Sequence, residues 1–168
     1  MIPRLPCLFN YQQSDNPEFT EEIFMRLILR NYQSSDHDAL ALLFYQIRKD
    51  EFYWTDLEQL SVSDFDHSIE GERIIVAEAQ GRIAGFLSVW EPDKFIHNLF
   101  VAKEFRRAGV GRALIRMALS EYGTPLTLKC VAKNETALRF YAKNGWQVEQ
   151  EDSGKEGAYY LLSLGRAK

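Results

Sequence analysis

Apolar residues recur along the chain with two different spacings, and each spacing predicts a type of secondary-structure element. Apolar residues at every second position, as at Leu126, Leu128 and Cys130, predict strands, whereas recurrence every three or four positions, as at Val110 and Ala113, predicts helices. The predicted strands cover 26–32, 73–79, 83–90, 94–101, 126–132, 146–151 and 158–164, and the predicted helices are one capped by Ser34 or Ser35, a short one around 63–69, one from near Gly109 and one from Asn134 through Lys143.

The order of these elements predicts the fold class. Hairpin strands come first, with Gln80-Gly81 suited to a tight turn, and strands then alternate with helices. We expect an α+β domain of three α/β/α layers, in which a single mixed, largely antiparallel β-sheet carries helices on both faces. This domain is predicted over 25–168. Residues 1–24 differ in composition and are predicted to be an N-terminal extension of uncertain order.

Composition is that of an ordinary globular domain. With 168 residues, 46% of them hydrophobic and 26% charged, the chain is long enough to bury a core. A formal net charge of −4 argues against a broad nucleic-acid footprint. Cys7 and Cys130 form neither a zinc spacing nor a disulfide framework, so we expect no metal. No apolar run approaches the ~20 residues of a membrane span and the N-terminus lacks a signal-peptide pattern, which predicts a cytoplasmic protein with no membrane partner.

The segment Leu99–Leu114 carries the first candidate chemistry. It combines an apolar strand end, a basic turn with two glycines and the immediate start of an amphipathic helix. The free N–H groups at the positive end of such a helix bind a phosphate or pyrophosphate through the main chain. No Gly-Lys-Ser/Thr follows, which excludes a Walker A loop, and the glycine spacing fits a Rossmann fingerprint poorly. A purely structural turn stays open at this point.

A second motif follows the next predicted strand. The first motif has the form Arg/Gln-x-x-Gly-x-Gly/Ala, at Arg106, Gly109 and Gly111. The second has the form Asn-x-x-Ala-x-x-Phe-Tyr-x-x-x-Gly-Phe/Trp and matches at Asn134, Ala137, Phe140, Tyr141, Gly145 and Trp146. Together, in this order and at this separation, the two segments resemble the GNAT superfamily of N-acetyltransferases. The order of elements over 25–164 fits that family as well.

The resemblance implies that acetyl-CoA is the acyl donor and that no metal takes part. Its pyrophosphate is expected against the turn and its pantetheine arm along the strand edge, like an added strand. Arg107 and Ala108 stand where many members have glycine, yet Ala108 still permits close approach and Arg107 adds a donor for a phosphate. The donor-binding residues that follow from the resemblance are Leu99, Phe100, Val101, Arg106, Arg107, Ala108, Gly109, Val110, Gly111, Arg112, Asn134, Ala137 and Tyr141.

Direct attack of an amine on a thioester calls for a base and an acid. We place the base at His97, because period-two alternation predicts that it shares a face with Leu99 and Val101. Some GNAT members carry a catalytic residue on this strand. Glu91 and Asp93, in the loop before the strand, are the reserve bases or carboxylates that bind the amine, with solvated loop charges as the open alternative. Tyr141 matches the family's tyrosine beside the sulfur, which the resemblance makes the general acid; side chains held by packing alone are the open alternative.

These observations predict transfer of an acetyl group from acetyl-CoA to a primary amine of a small molecule or a peptide. The alternative is a non-catalytic module that binds acyl-CoA as a sensor or for partner docking. We expect the acceptor pocket among residues 50–70, Trp90–Lys94 and the last hairpin loop, with Trp54, Trp90 and Phe95 either in an apolar wall or in the core. The identity of the amine and the presence of a homodimer, common in the family, stay open.

Overall fold

The computed structural model describes Cys7–Leu8 and residues 26–165. The strands are β1 (Cys7–Leu8), β2 (Arg26–Asn31), β3 (Arg73–Ala79), β4 (Arg82–Trp90), β5 (Phe95–Val101), β6 (Leu126–Val131), β7 (Gln147–Gly154) and β8 (Gly157–Leu164), and the helices are α1 (His37–Glu51), α2 (Asp64–Ser68), α3 (Val110–Tyr122) and α4 (Glu135–Lys143). Each strand and helix predicted between residues 26 and 164 is present, with shifted boundaries. Apart from β1, the predicted extension over 1–24 lies outside the described residues.

The eight described strands form one sheet in the order β1-β2-β3-β4-β5-β6-β8-β7. Neighbouring strands run antiparallel, except that β5 and β6 are parallel. Helices α1 and α2 pack on one face, and α3 and α4 pack on the other. The prediction of a mixed, largely antiparallel sheet between helices on both faces is therefore confirmed.

Each face of the sheet has its own apolar core. Leu87 and Val89 of β4 belong to the core under α3 and α4, whereas Phe86, which precedes Leu87, belongs with Phe100 to the core under α1 and α2. The second core is rich in aromatic rings: Phe86 and Phe100 stack with their centroids 5.5 Å apart. The sheet thus separates two sides of the molecule, and a group on one side reaches the other only where two strands part.

Helix α1 begins later than the sequence predicts. Ser34 and Ser35 lie in a short 3-10 turn, and Asp36 is the residue that precedes the helix. The Asp36 carboxylate accepts two N–H groups of the Arg30 guanidinium, at 2.7 and 2.9 Å, and the backbone N–H of Gln33 at 2.8 Å. The bond with Arg30 lowers the pKa of the Asp36 carboxyl. A partner on strand β2, not local capping propensity, therefore sets where α1 begins.

Strand β7 is longer than the alternation of apolar residues predicts. The predicted loop over 152–157 contracts to a turn at Lys155-Glu156, because Asp152 pairs with Tyr159 and Ser153 with Ala158 in the ladder. Every residue of β7 is exposed, since this strand is the edge of the sheet and carries no helix over it. An edge strand with both faces in water needs no apolar period, which is why its polar second half resembles a loop.

Two negative findings apply to the part of the chain that the structure describes. Within residues 26–165, no helix is long and apolar enough to cross a membrane. Over the same residues, no three His, Cys, Asp or Glu side chains come together as a metal ion would require.

Candidate active site

Strands β5 and β6 part after two residue pairs. Phe95 pairs with Thr127 and Ile96 with Leu128, and within the described chain no further pair joins the two strands. Residues 98–101 of β5 remain paired with β4, and residues 129–131 of β6 with β8, so the opening lies between two firmly held strands. We call this opening the β5–β6 split. It leaves the backbone edge of β5 beside Leu99–Val101 free to pair with an extended polar molecule.

The turn after β5 ends in a helix start of the kind that holds anions. Gly109 precedes α3 with a φ of +82°, a conformation that favours glycine. The first backbone bond of the helix runs from the Ala113 N–H to the Gly109 carbonyl, at 2.9 Å. The N–H groups of Val110, Gly111 and Arg112 therefore precede the helical hydrogen-bond ladder and point out of its N-terminus.

The charge pattern of α3 distinguishes it from the other helices in the described chain. Helices α1, α2 and α4 each carry an acidic residue in the first turn, as Asp38 and Glu135 illustrate, whereas α3 carries none. An acid in that position offsets the positive end of the helix dipole, worth about half a charge. Helix α3 leaves that charge for a ligand, and its N-terminus lies at the mouth of the β5–β6 split.

Arg106, the first residue of the glycine motif, is already bound to other groups of the protein. Its guanidinium binds both oxygens of Glu51 at the end of α1, at 3.0 and 2.9 Å, and its Nε donates to the Val101 carbonyl at 3.1 Å. Lys103 is likewise paired, with Asp50 at 2.9 Å. Arg106 therefore fixes the turn to β5 and α1, and its charge is already balanced.

Arg107 differs from Arg106 in both conformation and contacts. Its φ is +62°, one of three non-glycine residues with positive φ in the described chain. Its side chain is exposed and joins no ion pair within residues 26–165. With Ala108 following it, Arg107 presents an unbalanced cation beside the α3 N-terminus, where a phosphate would meet it.

We expect Arg107→Gly and Arg107→Ala to raise the KM for acetyl-CoA equally, by about tenfold or ~1.4 kcal/mol, because both remove the cation. The two variants should differ in stability. Only glycine relieves the positive φ, so the Gly variant should unfold with a free energy ~1 kcal/mol higher than that of the Ala variant. Steady-state kinetics and urea unfolding measure the two effects separately. An unchanged KM in both variants would show that Arg107 meets no phosphate.

The predicted donor-binding residues of β5 contribute through the backbone and through one face. Phe100 is buried in the core under α1 and α2, so only its main chain is available to a donor. Leu99 and Val101 lie on the opposite face, against the core under α3 and α4. Gly111 brings α3 close to that face: a Cβ there would lie 3.2 Å from the Phe140 ring, closer than nearly all real contacts.

The second motif forms α4 as predicted, and Asn134 caps it. The Asn134 Oδ1 accepts the backbone N–H of Ala137 at 3.1 Å. Tyr141 is buried, with its ring edge-on to those of Phe140 and Trp146, each 5.4 Å away between centroids. Burial, and secondarily the nearby Cys130 thiol, raises the pKa of the Tyr141 hydroxyl well above its usual value.

Cys130 lies on the β6 side of the split. The thiol lies on β6, two residues beyond Leu128, the last residue that pairs with β5. Burial raises the pKa of Cys130 to about 11, so the thiol stays protonated and behaves as a small core side chain. Burial likewise keeps the Tyr141 hydroxyl protonated, in the core on the α3–α4 side of the sheet.

His97 is the extra residue of a β-bulge. Ser88 pairs with Asn98 and Val89 with Ile96, so His97 has no partner on β4. Its Nδ1 contacts the Glu72 carboxylate, which also accepts the Ser88 hydroxyl on the α1–α2 side of the sheet. The prediction that His97 shares a face with Leu99 and Val101 is therefore wrong, because the bulge turns its side chain to the other side.

Three residues around His97 escaped the sequence analysis. Asn98 donates from Nδ2 to the Ser88 Oγ at 2.8 Å and to the Ser68 carbonyl at 3.1 Å, and Ser88 in turn donates to Glu72. The side chains of Glu72, Ser88 and Asn98 are almost completely buried. For Ser88 and Asn98, the one sequence signal of a special role is that each is a polar residue within an otherwise apolar strand. Glu72 has no such signal, because it stands among other charged residues.

Glu91, a reserve base, is not part of this cluster. Its carboxylate pairs with Arg73 at 3.3 Å, and its side chain is 57% exposed. No contact joins Glu91 to His97 in the described chain. Phe95, by contrast, lies beside His97 with ring centroids 4.6 Å apart, as one wall of the predicted acceptor pocket.

The segment after α1 covers the α1–α2 side of the split. Phe52 and Trp54 stack with centroids 4.8 Å apart, and Phe52 in turn lies 6.1 Å from Phe100 of β5. The hydroxyl of Tyr53 donates to the Lys133 carbonyl at 3.4 Å, just beyond β6. The segment therefore reaches from the β5 side to the β6 side of the opening.

The sheet is split between β5 and β6, and the N-terminus of α3 at one end of the split is suited to binding an anion. This combination is typical of enzymes that hold a phosphorylated donor along a strand edge. The acetyltransferase (GNAT) family model matches residues 37–146. The chain belongs to this family and is an N-acetyltransferase.

Relatives and solved structures agree with this assignment. The chain is 31% identical over 137 residues to the 5-NmdU N-acetyltransferase of Pseudomonas phage PaMx11, covering 78% of this chain and 94% of that protein. It is 33% identical over 73 residues to the peptidyl-lysine N-acetyltransferase YiaC of Escherichia coli K12, covering 44% and 49%. The fold is similar to that of apo YjaB from Escherichia coli (TM-score 0.67, 22% identity, 84% and 99% covered) and of yncA from Salmonella typhimurium, solved with acetyl-CoA (TM-score 0.64, 15% identity, 82% and 92% covered).

Proposed function

We propose that this enzyme transfers the acetyl group of acetyl-CoA to a primary amine of a small molecule or a peptide, with His97 as the base and Tyr141 as the general acid. One observation supports the proposal: His97 lies beside Glu72 on the α1–α2 side of the sheet, and Tyr141 belongs to the core on the α3–α4 side. A donor entering from one side and an amine from the other would meet between them.

The donor side fits acetyl-CoA, which supplies the thioester that the amine attacks. The N–H groups of Val110, Gly111 and Arg112 donate to the pyrophosphate oxygens at an N-terminus where the first turn of α3 holds no acid. The free edge of Leu99–Val101 pairs with the amides of the pantetheine arm. Asn134 is the proposed second contact to that arm, besides its capping bond.

On the amine side, His97 performs the proton transfer that makes attack possible. A free alkylammonium has a pKa near ~10.4, so a neutral amine at pH 7 costs about 4–5 kcal/mol. His97, with Nδ1 against Glu72, turns its other nitrogen toward the acceptor side and accepts the proton there. Tyr141 donates its proton to the leaving thiolate across the split.

The nature of the acceptor is not specified by the relatives. Their names give 5-NmdU for one and peptidyl-lysine for the other. The aromatic cover of Phe52 and Trp54 supports an acceptor with an apolar or planar portion next to its amine. A cytoplasmic location, a homodimer, and the absence of nucleic-acid and membrane partners stay predictions.

The test is a screen for release of coenzyme A with polyamines, amino acids, aminoglycosides, lysine peptides and 5-NmdU, the compound in the name of the phage relative. We expect at least one amine to give turnover, and His97→Ala to lower its kcat by about 10²-fold with the KM for acetyl-CoA within about twofold. His67→Ala is the matched control, because His67 lies on α2 and its ring bonds the Ser63 carbonyl.

The outcomes separate the alternatives. Tight binding of acetyl-CoA with no release for any amine would favour the non-catalytic sensor. Full activity of His97→Ala alongside a working wild-type enzyme would remove the base assignment and leave the acetyl transfer standing.

A further inference from the structure

We propose that Glu72 is a positioning residue that holds the His97 imidazole with its proton on Nδ1 and its lone pair on Nε2, toward the acceptor. This inference rests on the proposed function of His97 as the base. It assigns a role to a residue that belongs to neither sequence motif. Glu72 lies 25 positions before His97 in the chain, in the loop that precedes β3.

The carboxylate of Glu72 is buried and fully engaged. Its side chain is 4% exposed, one oxygen faces the His97 Nδ1 and the other accepts the Ser88 hydroxyl. An ionised carboxylate only accepts hydrogen bonds, so the ring nitrogen that faces it must carry a proton. In a neutral imidazole the proton is then absent from Nε2, the nitrogen that a base needs free.

The direction of the Ser88 bond is fixed by its other neighbour. The Asn98 Nδ2 donates to the Ser88 Oγ and also to the Ser68 carbonyl, which uses both of its hydrogens and sets the orientation of the amide. Ser88 accepts from Asn98 and so gives its own hydrogen to Glu72. The chain of donors runs one way, from Asn98 through Ser88 to Glu72.

The positions of His97 and Glu72 relative to solvent separate their roles. The His97 side chain is 49% exposed, whereas the Glu72 side chain lies beneath it with both oxygens occupied. Because the Glu72 side chain is only 4% exposed, its carboxylate is shielded from a substrate that approaches from solvent. It acts through His97, and the bulge that makes His97 the extra residue of β5 is what brings the ring over the carboxylate.

The decisive variant is Glu72→Gln. Since Ser88 donates its hydrogen, the glutamine oxygen accepts from Ser88 and the amide N–H₂ faces the His97 Nδ1. That nitrogen must then be the acceptor, which moves the proton to Nε2 and occupies the lone pair of the base. We expect a fall in kcat of about 10²-fold or more, with the KM for acetyl-CoA unchanged within about twofold.

The tautomer of the His97 ring distinguishes the proposed role of Glu72 from mere packing, because a loss of packing alone would not change it. Imidazole ¹⁵N spectra, followed to alkaline pH until the ring signals stop changing, should show the Nδ1–H form of His97 in the wild type and the Nε2–H form in Glu72→Gln. Glu70→Gln is the matched control, an exposed residue of the same loop, and should change neither the spectrum nor kcat. Ser88→Ala, which keeps the carboxylate, should retain the Nδ1–H form, and it serves as the second variant if Glu72→Gln does not fold.

The inference would be overturned by a wild-type His97 in the Nε2–H form, or by a Glu72→Gln enzyme with an unchanged kcat. If Ser88→Ala took the Nε2–H form, the carboxylate would not be what sets the tautomer, and the inference would fall as well. The proposed function fails differently, through full activity of His97→Ala. Because the spectra require no turnover, the two failures are distinguishable.

Discussion

Replacement of Tyr141 by Phe is expected to lower kcat by about 10²-fold and to leave the KM for acetyl-CoA within about twofold. The change removes one oxygen and keeps the ring that packs edge-on between Phe140 and Trp146, so α4 should hold its place. What is lost is the proton for the departing thiolate, a contribution of the size usual for general acids. Steady-state kinetics with an amine found in the screen measures it.

The raised pKa of Tyr141 adds a pH signature. Because burial keeps the hydroxyl protonated, the acid is present throughout neutral and mildly alkaline pH, and kcat should show no loss from deprotonation of Tyr141 up to about pH 9. Tyr122→Phe is the matched control, since Tyr122 lies in the last turn of α3, at the end opposite the anion-binding turn, and its loss should leave kcat unchanged. If Tyr141→Phe retained full turnover, water or another group would supply the proton.

The parts of the site that the sequence predicts correctly depend on neighbours in the chain. Positive φ at Gly109, free N–H groups after it and the Asn134 cap on Ala137 are each decided within a few residues. Local conformation and the start of a helix are what short motifs encode. The same applies to the tight turn at Gln80-Gly81, where both residues have positive φ as the predicted hairpin requires.

The parts that the sequence does not predict depend on register between distant segments. The orientation of His97 follows from a bulge, which exists only in the pairing of β5 with β4. The partner of Arg106 is Glu51, at the end of the first helix, and the partner of His97 is Glu72, in the loop before β3. Period-two alternation assumes an unbroken ladder, so one extra residue moves a side chain to the other face.

The bulge lies at the point where β5 and β6 begin to part. Immediately before it β5 pairs with β6, and immediately after it the strands part. A regular strand would have placed His97 on the same side as Leu99 and Val101, where the donor is expected. By turning His97 to the α1–α2 side, the bulge puts the proposed base and the proposed acid on opposite sides of the sheet.

The position of the free β5 edge depends in turn on Gly85 of β4, and we expect Gly85→Ala to lower the free energy of unfolding by about 3 kcal/mol. A Cβ at this position would lie 2.5 Å from the Phe100 carbonyl oxygen and 3.2 Å from the Val101 Cα. Both atoms belong to the backbone of the neighbouring strand, so no side-chain rotation relieves the clash, and the end of β5 must move. Urea unfolding measures the loss.

Gly85→Ala should also raise the KM for acetyl-CoA at least threefold, because Phe100 and Val101 form the strand edge and lead into the pyrophosphate turn. Gly154→Ala is the matched control: its Cβ would meet the Tyr159 ring at ordinary distances of 3.6 and 3.8 Å, so stability should change by less than about 0.5 kcal/mol. A destabilised Gly85→Ala with an unchanged KM would show that β4 yields instead of β5. Equal stability of the Gly85 and Gly154 variants would contradict the close approach of the two strands at the end of the split.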